Sequence, residues 1–135
     1  MKPETADFLT AADHALSKAH RIQAIDILDE AARHAYYAQF HAAQALIFER
    51  TGKIARTHKG VSKEFHKLAK AETAFPPGIA SQLSKAYRYK ETADYETGIV
   101  APITLPLASD AIATAERFIA VVRQALAPPP ASAAP

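Results

Sequence analysis

Cysteine and tryptophan are absent from this chain, and only four of its 135 residues are glycine. Without cysteine there are no disulfides and no thiolate metal sites, a composition compatible with a reducing cytosol. No apolar run approaches the roughly 20 residues that a membrane span needs. Nor does a positively charged, apolar leader open the chain, and the expectation is a cytoplasmic protein. A glycine-rich phosphate loop, a Gly-x-Ser-x-Gly elbow and paired carboxylates on one helix are missing too, so those catalytic templates find no match.

What is present suits packed helices. Hydrophobic residues make up 49% of the chain and charged residues 22%, and alanine is abundant, which favours helices over a sheet. The length is that of one domain. Pro3 and Glu4 suit the start of a helix reaching about His20. Ile22, Ile25, Leu28, Ala32, Tyr36, Phe40, Ala43 and Ile47 then recur at steps of three and four, one buried face of a long second helical region that Gly52 stops. A loop to His58, a third helix to about Ala71, and a fourth after Pro76 and Pro77 running toward Tyr95 follow. Glu96 to Pro106 reads as an ordered connection, and Ile112, Ala115, Ile119, Val122 and Leu126 mark the last helix. The prediction is an all-α antiparallel bundle of four to five helices over residues 1–126, with 127–135 a disordered Ala/Pro tail.

Charge is unevenly placed. The whole chain carries +2, yet Arg50, Lys53, Arg56, Lys59, Lys63, Lys67 and Lys70 face only Glu64 between positions 50 and 70, a local net of +6. Lys59, Lys63, Lys67 and Lys70 fall on one side of the third helix, with Arg56 and His58 at its N-terminal end, where free N–H groups favour anions. Either this stripe is a solvated lysine face, or it binds an anion such as an RNA backbone or a nucleotide phosphate. Asp26, Asp29 and Glu30 complement the dipole at the start of the tyrosine helix. His34 and His41 are about 10 Å apart in helical rise, too far to chelate one metal unaided. No metal site and no cofactor are expected.

The order of residue types is more specific than their period. Ala35-Tyr-Tyr-Ala-Gln-Phe-His-Ala-Ala43, Thr57-His-Lys-Gly-Val61 and Ala93-Asp-Tyr95 together resemble small prokaryotic HEPN-domain proteins, over about residues 20 to 126. That resemblance implies an all-helical fold and a homodimer whose late helices form one cleft. It also implies a minimal nucleotidyltransferase as partner, in a toxin–antitoxin-type pair. Tyr36 fits the buried stripe, whereas Tyr37 shares a face with His41 and Arg33. Tyr37 and His41 either cover the core edge or line a groove.

Ribonuclease members of this superfamily carry an Arg, four to six residues, then a His, often with a modifiable Tyr two positions on. Here Arg88-Tyr-Lys-Glu-Thr-Ala-Asp-Tyr95 keeps the Arg-to-Tyr spacing, but Ala93 stands where the His would be. The Arg usual in the branch lacking the His aligns with Lys90. By resemblance Tyr95 is a candidate modification site. Asp94 could accept a proton but is a poor donor at neutral pH, and it could instead pair with Lys90 or Arg56. His58 could replace the missing His if its loop folds over Arg88.

The leading expectation is a nucleic-acid or nucleotide-binding module. Arg88, Asp94, Tyr95, His58 and Lys59 would line its cleft, with Tyr37 and His41 behind, and Arg56, Lys59, Lys63, Lys67 and Lys90 would bind phosphate. One alternative is a metal-independent ribonuclease toxin using Arg88 with His58 or Asp94. The other is a structural adaptor docking an acidic protein.

Overall fold

The computed structural model describes residues 1–94 and 102–128. Tyr95, and with it part of the predicted connection and most of the predicted tail, lies outside the described residues.

Five helices follow one another: α1 (Pro3–Gln23), α2 (Leu28–Thr51), α3 (His58–Ala71), α4 (Ile79–Asp94) and α5 (Leu105–Leu126). Proline in the first turn and Glu4 start α1. This helix runs one turn past the expected end, and Asp26 at φ 62° makes the corner to α2. Ile25 therefore leaves the predicted buried face and is 67% exposed. At the other end of α2, Gly52 takes the left-handed conformation (φ 73°) and its N–H closes on the Phe48 carbonyl. Gly78, also left-handed, delays α4 to Ile79, two residues past the expected proline start. Thr104 caps α5, accepting from the Leu107 N–H, so α5 includes Pro106.

Alanine decides how closely the first two helices approach. Ala12, Ala15 and Ala19 of α1 are buried, as are Ala31, Ala35, Ala38, Ala42 and Ala45 of α2. The two run antiparallel: the Lys2 ammonium reaches the Phe48 and Glu49 carbonyls, and Thr5 donates to Glu49. The Asp13–Arg123 ion pair and the His20–Glu116 hydrogen bond lay α5 antiparallel to α1. Beneath α3 and α4, Phe65 packs its ring against Phe75 and Phe118, at centroid distances of 5.9 and 5.1 Å, with Leu83 and Val61 fully buried around them.

The direction of α3 places the site. Tyr36 touches His58, and Arg50 touches Glu72. The separation between 36 and 50 equals that between 58 and 72, so α3 runs alongside α2 in the same direction. Chain segment 52–57 must therefore travel back along α2 before α3 begins. Gln44 seats it, donating its side-chain amide to the Ala55 carbonyl at 2.8 Å.

Candidate functional site

Segment 52–57 delivers Arg56 and His58 to the middle of the tyrosine helix. Thr57 caps α3, its hydroxyl accepting from the Gly60 N–H at 3.0 Å. A Cβ on Gly60 would come within 3.1 Å of that hydroxyl oxygen. The run Thr57-His-Lys-Gly-Val61 thus has a physical reading. Threonine caps, glycine leaves room for the cap, Val61 anchors the turn in the core, and His58 at the first helical position turns inward.

The result is an open cleft of about 530 Å³. Tyr36, Tyr37, Phe40 and His41 come from α2, Arg56 from the returning segment, His58 from α3, and Tyr87 and Lys90 from α4. Tyr36 forms the floor at 4% exposure, with the rings of Tyr37, Phe40, His58 and Tyr87 at centroid distances of 5.5–5.9 Å. His58 and Tyr87 stack face to face, 3.7 Å apart and within 7° of parallel.

Protonation follows from burial. Desolvation pushes the Tyr36 phenol above its ordinary range, so it keeps its proton at neutral pH. Its oxygen lies 2.9 Å from His58 Nδ1. Desolvation first, then the nearby Lys90 charge, holds His58 below its ordinary 6.5, against the opposing pull of Glu91. With the imidazole neutral, the phenol donates to Nδ1, leaving Nε2 as the N–H of the ring. Gln44, whose amide nitrogen is committed to Ala55, offers Oε1 to His41 Nδ1 at 2.9 Å. His41 Nδ1 is therefore the donor.

Two cations border this aromatic hollow. Lys90 lies 2.7 Å from Asp94 and 5.8 Å from the Tyr87 ring centre. The hydrogen bond to Asp94 raises its pKa and, reciprocally, lowers that of Asp94. Arg56 is exposed and enters no ion pair among the described residues.

Several sequence-based expectations change. Tyr37, His41, His58, Arg56 and Lys90 meet in the cleft, whereas Arg88, Asp94 and Lys59 are not among its lining residues. Arg88 is exposed. Its neighbour Tyr87, not Arg88, faces His58, because consecutive helical residues point about 100° apart. Asp94 pairs with Lys90 as one expectation had it, but its other partner is Arg33 at 2.9 Å rather than Arg56. Arg33, also paired with Glu30, extends the Tyr37–His41 stripe by one turn. Lys63 and Lys67 stand exposed on the outer side of α3, Lys67 beside Glu64. Sequence reasoning placed Tyr36 and Phe40 on the buried stripe and so missed them, with Tyr87, as lining residues, and it missed Gln44 as the tether. The spacing of Tyr87 to Lys90, three apart on one helix face, was the signal for Tyr87; nothing local marked Gln44.

Among the described residues no group of three or more His, Asp or Glu side chains is arranged to hold a metal ion. No described helix is long and apolar enough to cross a membrane.

Comparison with known proteins adds family and fold. The HEPN domain family profile matches residues 5–125. A UPF0332 protein of Archaeoglobus fulgidus is 32% identical over 92 residues, covering 68% of this chain and 70% of that one. The crystal structure of TT1696 from Thermus thermophilus superposes with a TM-score of 0.79 at 20% identity, over 92% of this chain and 99% of that one. At that identity the likeness is one of fold.

Proposed function

From the premise that this chain belongs to the HEPN domain family, we propose that it is a nucleic-acid or nucleotide-binding module whose ligand enters the α2–α3–α4 cleft. The observation that carries this reading is the joining of the Tyr36, Tyr37, Phe40 and Tyr87 rings with Arg56 and Lys90 around one hollow of about 530 Å³. A base stacks on the rings, each such contact contributing about 1–3 kcal/mol. Its phosphate meets Arg56, whose planar fork suits two phosphate oxygens, and Lys90. The exposed lysines of α3 add long-range attraction that salt weakens.

The module acts as a homodimer with a minimal nucleotidyltransferase, in a toxin–antitoxin-type pair. The support for this is the resemblance over Ala35–Ala43 and Thr57–Val61 together with family membership, so it stands one step further from the geometry. Co-expression with a minimal nucleotidyltransferase and co-purification tests it; a monomer that retains no such partner overturns it.

Binding itself is tested by calorimetric titration with nucleoside mono- and triphosphates and a short oligoribonucleotide. Saturable binding is expected, weaker at high salt, and lost in Arg56→Glu and Tyr37→Ala. Binding indifferent to both substitutions, or no binding by the parent, removes the proposal.

A further inference from the structure

Away from the cleft, the bundle buries an amide without satisfying it. Gln39 of α2 is 1% exposed, yet neither its Oε1 nor its Nε2 has a hydrogen-bond partner among the described residues. Gln82 Oε1 on α4 is likewise buried and unpaired. Unpaired buried amide atoms are strongly unfavourable and rare in folded proteins. Gln39 and Gln82 border the same small cavity between α2, α4 and α5. Thr114 borders it as well, and Lys85 and Asp110, 3.7 Å apart, pair at its edge. The space is about 10 Å³, which by the measure of a water-sized sphere is room for one molecule.

We propose that Gln39, Gln82 and Thr114 form a binding site for a single ordered water that joins α2, α4 and α5. The water accepts from Gln39 Nε2–H and donates to Gln82 Oε1 and to the Thr114 hydroxyl oxygen, which already accepts from Arg117 at 3.2 Å. One molecule thereby satisfies two of the three unpaired amide atoms, and with Thr114 has three protein partners, as buried waters typically do. Larger polar ligands are excluded by volume. The consequence reaches the cleft, since α4 carries Tyr87 and Lys90 while α2 carries Tyr36. A bridge between Gln39 and Gln82 sets the separation of those two walls.

Two measurements on the full chain test this independently of any nucleotide. In nuclear Overhauser spectra of the unaltered protein, the Gln39 side-chain amide protons should show a cross-peak at the water frequency with the sign of a long-lived contact. Separately, Gln39→Met strands Gln82 and should lower the thermal midpoint by about 2–6 °C, and adding Gln82→Met should recover most of that loss. Absence of the cross-peak overturns the site. So does a double variant that recovers none of a loss seen in Gln39→Met, because the two amides would then share no partner. The spectroscopic arm needs no variant, so a substitution that fails to fold leaves the test standing.

Discussion

One helix, α2, has two different seams. Toward α1 it presents alanines and closes completely, with Ala12, Ala19, Ala35 and Ala42 without exposed surface. Toward α3 and α4 it presents Tyr36, Tyr37, Phe40 and His41 and leaves a cleft of about 530 Å³. Small side chains let backbones approach until no gap remains. Large flat rings hold the neighbouring helices apart, and tilted at 47–56° to one another around Tyr36, they cannot fill what they open. The open volume thus follows from side-chain size along one helix.

The contrast can be broken from below, from the closed side and from the open side. The largest loss is expected beneath the open seam. Phe65→Ala removes the ring between Phe75 and Phe118 and should cost about 3–5 kcal/mol in urea unfolding, because the cleft rests on a core as tight as any other. Next comes the closed seam, where Ala12→Leu should cost about 1–3 kcal/mol. Enlarging Tyr37 to Trp on the cleft wall should stay within about 0.5 kcal/mol. Equal costs at the two positions would erase the distinction between the seams.

An effect below the Phe65 and Ala12 losses isolates the floor of the cleft. Tyr36→Phe deletes the donor to His58 Nδ1 and should cost about 1 kcal/mol. Because burial depresses the His58 pKa, the folded state takes up a proton less readily than the unfolded one. Its contribution is therefore present above pH 6.5 and lost as pH falls through the lowered folded value. Burial acts on His34 in the same direction. Thermal midpoints at pH 7.5 and 5.5 should differ less in His58→Gln than in the parent, and a His58 titration by NMR at or above 6.5 would contradict the account. The last change is at the rim. Asp94→Asn releases Lys90 and should tighten nucleotide binding by no more than about fivefold, since the exposed pair it breaks is worth at most about 1 kcal/mol. Weaker binding in that variant would mean that Asp94 itself touches ligand.

Much of this was legible in residue order. Steps of three and four marked Tyr36 and Ile47 as buried, Gly52 as a stop and Leu126 as the last core position, because helical periodicity is a local property. Two corners were not legible. Asp26 adopts a left-handed conformation that no neighbour announces, so the isoleucine pattern ran on through a turn. Arg88 stood out by motif spacing, yet the adjacent Tyr87 faces the cleft, because one residue of helical phase changes the direction of the side chain.

By itself, then, the sequence determined an all-α bundle of four to five helices, most of their buried stripes, and a stock of tyrosines, histidines and basic residues near the middle of the chain; the structure made the count five. Only the tertiary structure decided which of them meet. Segment 52–57 turns back along α2 because Gln44, buried within that helix, binds the Ala55 carbonyl, and Thr57 then caps α3 beside Tyr36. That path rests on contacts between residues distant in sequence, which no local periodicity encodes, and it is what sets Arg56 and His58 in the cleft and leaves Lys63 and Lys67 outside it.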